Sequence, residues 1–394
     1  MNNKFDFYPD TNRENFSRYN PFFQKLVFGR NDLLPFWVAD TDFVVMPELS
    51  DALAKRANLG LFPYENKSPD LKKSLADWYN SKYDIQMNGK KLLFLPSVNT
   101  SIATIIDEFT DPGDGVIIQP PVYQAFAETI KDINREVVNN PLILKDDFYE
   151  IDFEDLQLKA QQESSKIMLL CSPHNPVGRV WKKDELQKIV QICIENDILM
   201  ITDEIHGDIV FEPNLYIGML NIYEGLSDNV IMVSSAGKTF GIPGLLDSFI
   251  YTPNTEYHKQ IRTRIKAFHL DKGNAFSNVA WEVIYKHGDT WLKEMKSYLE
   301  GNIEYIHKFL KNHLPMIKMT PPEGTYQVWL DFRQLGLDNQ ELARFLSENA
   351  GIALNQGNTY GPGGDGFARM NIASPKTMIS QAMNQLKEAV SGLK

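Results

Sequence analysis

Lys238 stands in Ser234-Ser235-Ala236-Gly237-Lys238-Thr239-Phe240-Gly241, directly after the apolar run Val230-Ile231-Met232-Val233. A lysine at the mouth of a buried strand can condense with an aldehyde cofactor, and the surrounding hydroxyls can hold a phosphate. On its own, such a lysine is more often a solvated surface charge. Its weight depends on what ends the neighbouring apolar runs.

Four more runs end in residues able to do related work. Leu92–Leu95 leads into Pro96-Ser97-Val98-Asn99-Thr100-Ser101 and then a helical pattern, Ile102, Ile105, Ile106 and Phe109. Small and hydroxylated residues opening a helix leave free amides at its positive end, a place for an anion or simply a capped helix. Val116–Ile118 exits through Gln119-Pro120-Pro121-Val122-Tyr123, where the prolines stiffen the backbone and hold Tyr123 for stacking on a flat ring or for core packing. Ile167–Leu170 exits through Cys171-Ser172-Pro173-His174-Asn175-Pro176-Val177-Gly178, a tight turn able to aim the Asn175 amide. Ile198–Thr202 ends at Asp203-Glu204-Ile205-His206. A carboxylate ending an apolar strand is costly unless paired. Asp203 could face a protonated pyridine nitrogen, making the ring an electron sink, or it could cap the next helix. His206 could reach the same ring or pack. Together the strand ends supply the parts of a pyridoxal phosphate (PLP) site.

Those ends need a scaffold that brings them to one side. From about residue 90 to 255, short apolar runs, the last being Ser248–Tyr251, alternate with amphipathic segments. That alternation predicts an α/β fold, a mostly parallel sheet flanked by helices, whose ligands sit at the strands' carboxyl ends. Beyond it the pattern predicts a long helix near 278–313, short strands at Tyr326–Leu330 and Phe367–Ile372, and helices at 338–349 and 375–392. We expect an N-terminal arm (1–45, aromatic, polar and extended) joining the small unit, a large PLP-binding domain (46–280) and a small α+β domain (281–394).

Composition narrows the partners. A net charge of −11 over 394 residues argues against nucleic acid or an anionic membrane as partner. No apolar stretch reaches spanning length, and Met-Asn-Asn-Lys-Phe-Asp lacks the apolar core of a signal peptide. Two cysteines, Cys171 and Cys193, both in apolar runs, make neither a disulfide framework nor a zinc site, so a cytoplasmic protein is expected. The seven histidines show no metal-ligand spacing, and no metal is expected.

The ordered set Ser97–Asn99, Asn175, Asp203, Lys238 resembles the fold-type I PLP enzymes of the class I/II aminotransferase superfamily. Within it the chain is most similar to the MalY/PatB group of cystathionine β-lyase-like carbon–sulfur lyases, through Leu34-Pro35-Phe36-Trp37-Val38-Ala39-Asp40-Thr41-Asp42-Phe43, the Asp203–His206 segment and Gly366-Phe367-Ala368-Arg369-Met370-Asn371. The resemblance implies a large and a small domain and these roles. Lys238 carries the cofactor covalently and moves the Cα proton. Asp203 pairs with the pyridine nitrogen, Asn175 bonds the ring 3-hydroxyl with His206 close by, and Tyr123 stacks on the ring. Val98, Asn99 and Ser235 hold the phosphate. Tyr64 reaches a phosphate across a homodimer interface. Arg369 clamps the substrate carboxylate, a task for which lysine is a poor replacement, with Ala39 and Asn175 on the substrate side.

The chain also departs from that pattern. Ser97 and Asn99 stand where relatives carry Pro-Gly-Val-Val, so Ser97 could tighten the turn or add a hydroxyl contact. Leu246 occupies the position, eight beyond the lysine, where aminotransferases often carry a phosphate-binding arginine. Gly361-Pro362-Gly363-Gly364-Asp365-Gly366 has no apolar strand before it and reads as a flexible loop, not a nucleotide cradle. Three functions remain open: a carbon–sulfur β-lyase acting on cystathionine or related cysteine S-conjugates, an aminotransferase sharing its first steps, and a non-catalytic protein on the same scaffold. The lyase is favoured. The leaving group is not legible.

Overall fold

Seven strands form the main sheet: β1 (Leu93–Leu95), β2 (Gly115–Ile118), β3 (Glu136–Asn139), β4 (Ser165–Cys171), β5 (Leu199–Asp203), β6 (Val230–Ser234) and β7 (Ser248–Tyr251). The computed structural model describes residues 4–6, 13–222 and 227–393. The spatial order is β1-β7-β6-β5-β4-β2-β3. β2 to β6 run parallel with β3 at the edge, whereas β7 is antiparallel to both its neighbours. Strands β2, β5, β6 and β7 are buried at every position, as expected of a sheet covered by helices on both faces. The expected mostly parallel sheet is therefore present. β3 was not expected from the sequence: Glu-Val-Val-Asn is short and half polar because it lies at the edge.

Register sets the functional edge. Cys171 lies level with Asp203, and Asp203 level with Val233. The residues that follow each strand therefore emerge side by side.

A second, antiparallel sheet is built from β8 (Lys318–Thr320), β9 (Gln327–Asp331), β10 (Asn355–Gln356) and β11 (Phe367–Asn371), in the order β8-β9-β11-β10. Arg369 on β11 pairs with Trp329 on one side and Asn355 on the other. The helices Asp289–His313 and Lys376–Ser391 bury Leu299, Ile306, Met383 and Leu386 in the core that also contains Val328 and Met370 of this sheet.

The stretch expected as one helix near 278–313 is two, Ala275–His287 and Asp289–His313. The break falls at Gly288, where a Cβ would stand 2.3 Å from Cε1 of Phe240, so the ring of Phe240 fills the space a side chain would need. Similarly, the stretch 338–349 begins as the helix Asn339–Arg344 and ends as a wider π-helical turn, Phe345–Asn349.

The N-terminal arm is less extended than expected. It contains the helix Pro21–Phe28, which starts at a proline in its first turn and is capped by Asn20, whose side chain accepts from the amides of Phe22 and Phe23 at 3.0 and 3.1 Å. Residues 1–3 and 7–12 of the arm lie outside the described residues. Leu34–Pro35 then pairs in parallel with Ile352–Ala353, joining the arm to the second sheet's side of the molecule. No described helix is long and apolar enough to cross a membrane.

Candidate active site

A cavity of about 380 Å³ opens at the carboxyl ends of the main sheet's strands. Ten of the residues singled out from the sequence line it: Lys238, Asp203, Tyr123, Val98, Asn99, Asn175, His206, Ser235, Arg369 and Ala39. Tyr64 does not. It is 96% exposed, beside Leu59, Leu61 and Phe62, which are all more than half exposed.

Lys238 leaves the sheet on the short helix Ala236–Thr239, whose N-cap Ser235 accepts from the amide of Gly237 at 3.0 Å. The same hydroxyl donates to the carbonyl of Asp247 at 2.6 Å, so Ser235 is already engaged in holding this turn. The Lys238 ammonium donates to the carbonyl of Ala39, and Tyr326 donates to that oxygen at 3.2 Å. Burial lowers the Lys238 amine to about 8; the carboxylates of Asp40 and Asp203 oppose the shift, and Arg369 adds to it.

Asp203 ends β5 fully inside the protein. It accepts from the amide of Ile205 at 3.1 Å and has no ion-pair partner within 4 Å among the described residues. Burial raises its carboxyl to about 7, only partly countered by that amide and by Lys238, while Glu204 pushes the same way as burial. His206, also buried, is held neutral with a value of about 3, first by burial and then by the charges of Lys238 and Arg369. Its Nδ1 has no partner among the described residues, and its ring meets Tyr326 edge-on at 5.7 Å.

Asn175 and His174 come from the turn after β4. His174 Nε2 donates to the carbonyl of Pro121 at 2.9 Å, tying this turn to the Pro-Pro exit of β2 that carries Tyr123. Tyr123 meets Phe126 edge-on at 5.8 Å and borders the cavity. Cys171 also borders it, but burial pushes its thiol far up, leaving a poor nucleophile.

The helix Val98–Phe109 opens at the opposite wall. Ser97 is its N-cap, accepting from the amide of Thr100 at 3.1 Å, so its side chain tightens the turn. The first-turn amides of Val98 and Asn99 have no acceptor within the helix, and both residues face the cavity. Leu246, eight residues beyond Lys238, adopts a left-handed backbone with φ +42°, is 61% exposed and borders the cavity. Beside it, Asp247 is bonded to Lys67, so that cation is already committed.

Arg369 is 3% exposed and projects from β11 to the cavity. Its Nη2 donates to the carbonyl of Trp37 at 2.6 Å and to Asn355 Oδ1 at 2.9 Å, its Nη1 reaches Asn175 Oδ1 at 3.3 Å, and its Nε has no partner among the described residues. An orphaned donor on a pre-aimed guanidinium is ready for a carboxylate. Asn355, Tyr326 and the carbonyls of Trp37 and Ala39 were not given these parts from sequence. Backbone oxygens carry no residue-type signal, and Asn355 follows an unremarkable apolar run.

The family model for aminotransferase class I and II matches residues 24–386. The chain belongs to this family. Among curated members it is similar to cystathionine beta-lyase PatB of Bacillus subtilis, 34% identical over 365 residues that cover 93% of this chain and 94% of that protein. It is likewise similar to protein MalY of Escherichia coli, 30% identical over 369 residues covering 93% and 94%. Among solved structures, cystalysin of Treponema denticola, which contains pyridoxal 5'-phosphate, superposes with a TM-score of 0.94 at 32% identity over 99% of this chain and all of that one. The PLP-bound C-S lyase of Staphylococcus hominis gives 0.91 at 29% identity, covering 99% and 98%. The large mostly parallel sheet with a smaller antiparallel one is the fold of this family.

Proposed function

We propose that this family member is a PLP-dependent carbon–sulfur β-lyase, cleaving cystathionine or related cysteine S-conjugates to pyruvate, ammonia and a thiol. The observation that carries it is the convergence of an accessible lysine, a buried unpaired carboxylate and a pre-aimed arginine on one cavity, in a chain similar along its length to proteins named as cystathionine β-lyases.

The residues fit the cofactor. Asp203 is a buried carboxylate awaiting a cation, which a protonated pyridine nitrogen supplies. The orphaned Nδ1 of His206 and the Asn175 amide border the same cavity and would bond ring substituents, and the amides of Val98 and Asn99 would suit a phosphate. When bound, PLP stores the electron pair released at Cα. Arg369 holds the substrate carboxylate, with Ala39 and Asn175 on the same side, and Tyr123 packs on the ring. Lys238 would hold the cofactor and, with its amine free, would take the Cα proton. Loss of a thiolate with the electrons of the C–S bond would complete the elimination.

The same reading makes the protein a cytoplasmic homodimer, in which exposed Tyr64 reaches the partner's phosphate and the neighbouring apolar side chains are covered. It also divides the chain at 46 and 281 into arm, cofactor-binding domain and small domain.

The test is direct. Purified protein with PLP and cystathionine, without any 2-oxo acid, is expected to release pyruvate and a thiol. Background pyruvate with fast amino transfer to 2-oxoglutarate would replace this reading with the aminotransferase one. Neither activity, in protein that retains the cofactor, would favour the non-catalytic alternative.

A further inference from the structure

The arm places a second carboxylate behind the catalytic lysine. Asp40 directly follows Ala39, the residue whose carbonyl accepts from Lys238. Its main chain is fixed: Asn371 Nδ2 donates to the carbonyls of Val38 and Asp40 at 2.6 Å each, and the amide of Asp42 donates to Ala373 at 2.9 Å. The loop after Lys238 lies against the same segment, because a Cβ on Gly241, whose φ is +66°, would stand 2.4 Å from Thr41 Oγ1.

The side chain of Asp40 is not satisfied by hydrogen bonds. Its Oδ1 is buried with no hydrogen-bond partner among the described residues, 3.6 Å from Nη1 of Arg18. That nitrogen sits closer to Asp42, at 3.1 Å, and the rest of the guanidinium is used elsewhere, Nε on the carbonyl of Pro35 and Nη2 on Ser374. One buried guanidinium therefore lies between two carboxylates, and Asp42, the nearer, also accepts from the Tyr19 hydroxyl at 2.7 Å and feels the charge of Arg13, so Asp40 is the less neutralised of the two.

The other charged or titratable groups facing Lys238 are Asp203 from β5, Arg369 from β11, His206 from the turn after β5 and Tyr326 ahead of β9. Under the proposed function Asp203 is taken by the ring nitrogen and Arg369 by the substrate carboxylate. His206 is neutral. Asp40 is the carboxylate left for the lysine.

We propose that Asp40 is a positioning residue, the counter-ion that holds the amino group of Lys238 while it is free of the cofactor. The inference rests on the proposed role of Lys238 as base. In that step the Cα–H bond breaks and an N–H bond forms, so the amine becomes an ammonium; the pair left at Cα would form the Cα–Cβ double bond as sulfur departs with the electrons of the C–S bond. An ammonium formed in a buried cavity needs a nearby anion. The Ala39 carbonyl gives it direction and Asp40 gives it charge. Arg18 sets how much of that charge remains for the lysine.

Paired variants test this with the PLP-loaded enzyme. D40N, nearly isosteric, removes the negative charge, so the acid limb of the kcat–pH profile is expected to move to lower pH by roughly one unit. R18Q removes the guanidinium that lies between Asp40 and Asp42, and its limb is expected to move to higher pH. KM for the cysteine conjugate should change little, because Arg369 is untouched. A merely structural defect would lower cofactor content or raise KM without moving the limb in opposite directions. Limbs unmoved in both variants, or displaced the same way, overturn the proposal; if D40N does not fold, the direction of the R18Q shift decides. Elimination and amino transfer share the proton abstraction, so the limb can be read from either product. Failure of the lyase reading would appear separately, as absence of pyruvate from the wild-type enzyme.

Discussion

Thr239 donates from Oγ1 to Asp208 Oδ2 at 2.9 Å, and this bond holds the turn on which Lys238 stands. Asp208 also accepts from Trp78 Nε1 at 2.9 Å and from the Tyr83 hydroxyl, so a buried carboxylate ties the lysine's turn to the helix Pro69–Tyr83. Removing the bond in Thr239→Val is expected to cost about 1.5–3 kcal/mol, the range for a hydrogen bond to a charged group. Urea unfolding measures that loss. Kinetics should show a lower kcat with KM little changed, since the lysine and not the substrate clamp is loosened.

Borohydride reduction of the yellow holoenzyme is expected to fix a pyridoxyl group on Lys238. Lys238→Ala should lower turnover by at least about a hundredfold, the lower range for loss of a positioned general base. A label mapped to another lysine would end the assignment.

Asp203 gives a pH signature in the cofactor-free protein. Its folded value of about 7 lies above the usual carboxylate range, so the folded state holds a proton that the unfolded chain has lost. The stability this contributes is full at low pH and is lost as pH rises through about 7. Apo D203N, which has nothing to ionise, should therefore gain on the apo wild type between pH 5 and pH 8, by at most about 1.4 kcal/mol per unit. Melting both proteins across that range checks the sign; a gap that narrows with rising pH contradicts it. With PLP bound, Asp203→Ala should lose orders of magnitude in kcat while KM changes far less.

Arg369→Lys keeps the charge but loses the planar fork that bonds the carbonyl of Trp37 and Asn355 while offering a free Nε. Loss of a charge-assisted contact to the substrate carboxylate, about 1.5–3 kcal/mol, predicts a fall in kcat/KM of roughly 10- to 150-fold. An unchanged ratio would remove Arg369 from the substrate clamp.

Tyr64→Phe should weaken PLP retention by about 1.5–3 kcal/mol, one hydrogen bond to a charged acceptor, without lowering monomer stability, because the hydroxyl is exposed in the single chain. Sedimentation is expected to give a dimer for both forms. An active, PLP-loaded monomer contradicts the shared site.

The parts legible in the sequence are those written locally. Asp203, Asn175 and Lys238 follow apolar runs by one or a few residues, and parallel register brings such positions together wherever the runs are. Arg369 was recognisable only by resemblance, since a five-residue strand says nothing of what its side chains face. The contact of Lys238 with Ala39 spans 199 positions and uses a backbone oxygen, so no pattern announces it. The division of the long helix at Gly288 depends on where Phe240 lies, 48 positions earlier, and the edge strand β3 is too polar to stand out. The helix Pro21–Phe28 was missed although its Asn-Pro start is a helix signal, because the arm's mixed aromatic and polar composition hid it.

The pairing of Leu34–Pro35 with Ile352–Ala353 sets an order of assembly. During synthesis, the segment carrying Trp37, Ala39 and Asp40 leaves the ribosome long before its partner strand Ile352–Ala353 and Arg369 do. The main sheet can form long before, with Lys238 and Asp203 in place and one wall of the pocket missing. The pocket is thus closed by a segment made early, which must wait for the surface it covers.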